Sequence, residues 1–82
     1  MQRHVGYWMY ESSGRLKDLV PRYFRGEDLK ISEIELLRDY LMQYTAAMRL
    51  PRKTKARIEN IRAVSHLRDV TKELLDWGVD PW

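Results

Sequence analysis

Cysteine is absent from the 82 residues, which removes disulfides, thiolate nucleophiles and cysteine-ligated zinc together. Small secreted domains usually need such staples, so a cytoplasmic setting is expected. No run reaches the roughly 18 consecutive apolar residues of a membrane span, and residues 1–12 lack the apolar core of a signal peptide, so a soluble, unprocessed chain is expected with no membrane partner. Glycine is scattered at positions 6, 14, 26 and 78, which leaves no glycine-rich phosphate loop. Histidine is limited to His4 and His66, so a histidine-based metal site would need the two to converge with carboxylates such as Asp69 or Glu11.

The remaining catalytic ingredients are equally sparse. Ser32 and Ser65 have simpler work as helix caps than as nucleophiles, and no G-x-S-x-G is present. His66 and Asp69 form an i, i+3 pair of the kind found on helix surfaces, while Glu35 and Asp39 flank Arg38 with nothing to separate their acidities. The expectation is a non-catalytic protein with no cofactor and no metal.

What is present is a helical pattern. With 44% hydrophobic and 33% charged residues the composition is that of a globular protein, and the length suits one domain over 1–82 with a single modest core. Ile34, Leu37, Leu41, Tyr44 and Met48 recur at steps of three and four, one stripe of a helix running from Ser32 to Met48. Ser32 followed by Glu35 reads as a capping box, and Pro51 closes the segment. Leu36 and Tyr40 widen the stripe, which predicts a central helix touched from two directions.

Upstream, Leu16, Leu19, Val20, Tyr23 and Phe24 mark another helix, with Ser12 or Ser13 as cap, Gly26 as stop and a kink or split expected at Pro21. Downstream, Ile58, Ile61, Val64 and Leu67, then Val70, Leu74 and Trp77, carry the pattern to Gly78. One or two helices fit this stretch: Ser65 either caps a fresh helix from His66 or interrupts a single long one, and two helices are the more compact choice. Residues 79–82 are expected as an extended tail, because Pro81 restrains Asp80.

The first eleven residues differ. Val5, Tyr7 and Met9 alternate with Gly6, Trp8 and Tyr10, a pattern that favours an extended arm with two apolar faces. Such an arm either packs over the helices or pairs with a second copy across a two-fold axis. The fold class predicted is therefore all-α, a compact bundle of three or four short helices with an extended aromatic N-terminal arm.

Two features point to partners. Tyr7, Trp8 and Tyr10 crowd one end of the chain and Trp77 and Trp82 the other, and tryptophan and tyrosine are enriched where proteins dock. The first functional reading is thus a protein-binding adaptor or homodimer that docks through its aromatic termini. The second rests on charge. The whole chain carries +3, yet the stretch from Arg49 to Arg62 alone carries +5, with Arg49, Arg52, Lys53, Lys55, Arg57 and Arg62 against Glu59.

Cations at the start of a helix oppose its dipole, so stability does not favour this placement. Phosphate binding would: Thr54 is a candidate cap, exposed N–H groups at a helix start accept anions, and Asn60 is the side chain there suited to a base edge. Five or six phosphate contacts would give a log–log salt slope of about −5. A helix-turn-helix with 54–64 as recognition helix fits poorly, because Pro51 sits where a small residue usually bends the chain. The alternatives are an acidic protein partner or a plain solvated stripe through Lys55, Glu59, Arg62 and His66, with an i, i+4 ion pair.

Overall fold

The computed structural model of the chain describes Trp8 and residues 14–82. Among them are four helices and no strand: α1 (Gly14–Phe24), α2 (Ile31–Thr45), α3 (Arg52–Glu59) and α4 (Val64–Asp76). The fold is therefore the all-α bundle that the spacing predicts, with two helices after Pro51. Trp8 apart, the arm over residues 1–11 and the Ser12 or Ser13 cap lie outside the described residues.

Helix α1 buries Leu16, Leu19, Val20 and Tyr23. Pro21 does not split it. The proline withholds one hydrogen bond, that to the carbonyl of Lys17, and Lys17 is exposed, which leaves water to satisfy it. Gly26 ends the helix at φ +77°, where Glu27 N–H reaches back to the Arg22 carbonyl at 3.2 Å. Gly78 ends α4 in the same way, with Val79 N–H on the Leu74 carbonyl at 2.8 Å.

Helix α2 is the central element, in contact with each of the other three. It begins earlier than the Ser32–Glu35 pair suggests. Lys30 is the cap, and its N–H donates to Glu33 Oε1 at 2.8 Å while Glu33 Oε2 accepts from Arg22 of α1 at 2.9 Å. The contact with α1 holds the Glu33 carboxylate in place, and Ser32 is left exposed. The helix also stops short of Met48, at Thr45, whose hydroxyl donates to the Leu41 carbonyl at 2.8 Å.

Helix α4 likewise starts ahead of the expected Ser65 cap, with Ala63 at the boundary and Ser65 exposed in the first turn. Thr54, a candidate cap, lies inside α3 and is buried; Pro51 occupies the boundary. The core gathers Leu19, Val20, Leu37, Leu41, Ile58, Ile61, Leu67 and Leu74, each at most 1% exposed. A radius of gyration of 12.0 Å matches the roughly 12 Å of a close-packed chain of this length.

The tail from Val79 to Trp82 turns inward. Pro81 is fully buried and Trp82 is 3% exposed. Tyr40 donates its hydroxyl to the Pro81 carbonyl, Tyr44 to the Asp80 carbonyl at 3.4 Å, and Trp82 N–H bonds Asp80 Oδ1 at 3.2 Å. The Trp82 ring stacks on Tyr40 at 5.4 Å and meets Tyr23 and Phe24 of α1 at 5.5 and 6.2 Å. The tail thus ties α1 to α2.

Candidate functional site

The basic segment occupies the loop before α3, the whole of α3 and the turn into α4. Two helical turns of eight residues make α3 only about 12 Å long. That is shorter than the 54–64 recognition helix that a helix-turn-helix would have needed. Arg49, Arg52, Lys53, Arg57, Asn60 and Arg62 are exposed and Lys55 is half-buried.

These side chains are not equivalent. Arg57 pairs with Glu73 across the α3–α4 contact. Arg62 folds back on the end of α3, where its guanidinium donates to the carbonyls of Glu59 and Ile61 at 3.0 and 2.9 Å and satisfies acceptors that a helix terminus leaves open. Asn60 spends its amide N–H on the Ala56 carbonyl at 2.8 Å and keeps its oxygen as an acceptor. Arg49, Arg52, Lys53 and Lys55 make no ion pair among the described residues. The i, i+4 pair anticipated between Lys55 and Glu59 does not form; the two instead border a small groove against α2.

The α1–α2 side of the molecule is organised differently. Arg22 is shared by Asp18, Glu27 and Glu33 at 3.7, 3.2 and 2.9 Å, Arg25 holds Glu27 at 2.6 Å and Arg38 meets Asp39 at 3.2 Å. The Lys30 N–H and then the Arg22 guanidinium hold the Glu33 carboxyl below its ordinary value, and Arg25 and then Arg22 do the same for Glu27. Arg22, Arg25 and Arg38 are neutralised where they stand, though Arg15, Lys17 and Lys30 make no ion pair among the described residues. The cations without ion pairs thus include others besides those at the start of α3, but none so closely grouped, and those of α3 also face the positive end of the helix dipole.

Between α3 and α4 runs an open groove of about 400 Å³. Ala56 and Val70 supply its apolar lining, Lys53 and Arg57 its cations, and Asn60, His66 and Asp69 its hydrogen-bonding groups. His66 Nδ1 accepts the Arg62 backbone N–H at 3.2 Å, so the neutral ring carries its proton on Nε2 and presents a donor. Asp69 has no cation partner among the described residues. His66 and Asp69 are therefore neighbours on one wall of a groove rather than a bonded surface pair. Their i, i+3 spacing was visible in the sequence; the facing wall from α3 was not.

The aromatic residues singled out at the termini scatter. Tyr7 and Tyr10 lie outside the described residues. Trp8 is half-buried and donates Nε1 to the Trp82 carbonyl at 3.3 Å, so these two tryptophans, 74 residues apart, do meet. Trp82 itself belongs to the core and offers no ring to a partner, because the tail folds inward instead of standing free. Trp77 stays 56% exposed at the end of α4, near Leu75 at 52%.

Among the described residues no helix is long and apolar enough to cross a membrane, and no group of three or more acidic or histidine side chains could hold a metal. Compared with protein-family models, curated proteins and solved structures, the chain matches none of them.

Proposed function

We propose that this protein is a non-catalytic cytoplasmic module that binds nucleic acid by its phosphates, through α3 and the loop that leads into it. One observation carries the reading: Arg49, Arg52, Lys53 and Lys55, four cations within residues 49–55, stand without carboxylate partners among the described residues, while Arg22, Arg25 and Arg38 are paired. The other cations without an ion pair among the described residues, Arg15, Lys17, Lys30, Arg68 and Lys72, are spread over α1, the cap of α2 and α4. Unneutralised cations gathered at the start of a short helix cost stability, and a polyanion is the partner that repays it. With Arg57 and Arg62 engaged inside the protein, the phosphate contacts number four. The salt slope then falls to about −3 on a single strand or about −4 on duplex DNA, shallower than six cations would give.

Fluorescence anisotropy of labelled oligonucleotides over a salt series tests this. The R52A/K53A/K55A variant should lose salt-sensitive binding, and the R15A/K17A variant of α1 should keep it. A parent protein that binds no oligonucleotide at low salt, or an R52A/K53A/K55A variant that binds as the parent does, refutes the reading.

A second reading, self-association or a protein partner, is favoured by the exposure of Trp77 and Leu75 at the end of α4. Sedimentation of the parent and of the W77A variant decides it. A concentration-dependent dimer lost on substitution supports the reading, and a monomer at every concentration removes self-association.

A further inference from the structure

We infer, on the premise that the basic segment binds phosphates, that the nucleic acid is single-stranded and places one unstacked guanine in the groove between α3 and α4. The groove opens beside Lys53, which has no ion-pair partner among the described residues, and takes Arg57 into its lining, so a strand tracked by the α3 cations passes its mouth. Its charged lining is mixed, with Lys53 and Arg57 towards α3 and a carboxylate towards α4. Asp69 stands in it with no cation partner among the described residues, and a bare carboxylate repels an anion. What a carboxylate accepts is a pair of adjacent N–H donors.

The donor and acceptor pattern narrows the base. His66 presents Nε2–H, since its Nδ1 is taken by the Arg62 N–H, and one helical turn away Asp69 presents two acceptor oxygens. One donor beside two acceptors complements the Watson–Crick edge of guanine, whose O6 accepts while N1–H and the N2 amino group donate. Cytosine presents one donor and two acceptors, adenine one of each, and thymine or uracil a single donor between two acceptors, so each leaves a charged or polar group of the groove unmatched. Asn60 Oδ1 is a further acceptor in the same groove, and Ala56 and Val70 give the base an apolar surface. In a duplex the guanine edge is already occupied by cytosine, which is why the strand must be single.

The test uses the full chain and thymidine oligonucleotides of about twelve nucleotides, within the range that one single-strand module covers. Replacing one central thymidine with guanosine should tighten binding by about tenfold, the scale of one good bidentate contact. Inosine in its place, which lacks the N2 amino group, should lose most of that gain, and so should annealing the complementary strand. D69N should abolish the guanine preference while leaving the salt slope and the affinity for pure thymidine unchanged or tighter. Asp69 is exposed and has no ion-pair partner among the described residues, so this variant should fold as the parent does, and circular dichroism verifies it. Equal binding of guanosine and thymidine oligonucleotides, or a preference that survives D69N, overturns the guanine site while phosphate binding stands. No binding to any oligonucleotide overturns both. Guanosine monophosphate that competes as strongly as the oligonucleotide overturns the single strand as the ligand.

Discussion

Replacing Trp82 with alanine tests the packing most directly. The ring is 3% exposed and touches Tyr23, Phe24 and Tyr40. A buried aromatic of this kind covers about 150–250 Å², which at about 25 cal/mol per Å² gives about 4–6 kcal/mol as an upper bound. One term reduces it. Trp82 Nε1 is buried and finds no acceptor among the described residues, a deficit of about 1–3 kcal/mol that the alanine no longer carries. The net loss expected is about 3 kcal/mol, the lower end of the range for removing a core aromatic.

A domain of 82 residues has about 4–12 kcal/mol in hand, so the variant forfeits a quarter to three quarters of it. Urea denaturation followed by circular dichroism reads this as a midpoint lowered by about 1–3 M. W82F keeps most of the ring area and removes the orphan donor, and should fall by less than half as much. W77A, at a residue 56% exposed, should move by no more than about 0.5 kcal/mol. A midpoint for W82A within the scatter of W77A would show that the tail does not pack as described.

Two other outcomes follow from the electrostatics. Because Glu33 and Glu27 titrate below the ordinary glutamate value in the folded protein, their stabilisation is complete above that value and is lost as pH falls through the depressed one. Thermal melts from neutral pH into acid should show the gap between the parent and E33Q closing as the Glu33 carboxyl of the parent protonates; a gap that stays constant contradicts the hydrogen bonds assigned to Glu33. The R52A/K53A/K55A variant removes three cations from the first turn of α3 and should melt higher than the parent at low salt, by about 0.3 kcal/mol per charge, and a lower melting temperature would contradict the placement of these residues.

Local signals were legible from the chain, and what depends on a neighbouring helix was not. The stripe from Ile34 to Tyr44 and the stops at Gly26 and Gly78 follow from spacing and backbone chemistry within a few residues, whereas the apolar pattern runs on through Ile58, Ile61, Val64 and Leu67 and leaves one helix or two open; α3 ends at Glu59, ahead of the break expected at Ser65. The central position of α2 followed from Leu36 and Tyr40 widening its apolar face. By contrast, Glu33 rather than Glu35 closes the cap of α2, with its second oxygen held by Arg22 eleven residues earlier, and no rule of local capping contains that second contact. The burial of Trp82 has no periodic signature, because a four-residue tail has no repeat to read. At the site, exposure of the basic residues was legible from charge alone. The commitment of Arg57 to Glu73 and of Arg62 to the Glu59 and Ile61 carbonyls was not, since both depend on the path of the turn between α3 and α4.

The inward tail also bears on time. Helices that neighbour one another in the chain can meet early, whereas the Tyr40–Pro81 bond closes a span of 41 residues and the Trp8–Trp82 bond one of 74. Contacts that close the widest loops form late on the route to the native state, so damage there leaves the refolding rate nearly untouched and hastens escape instead. Residues 79–82 thereby govern how long the folded molecule persists more than how fast it arises.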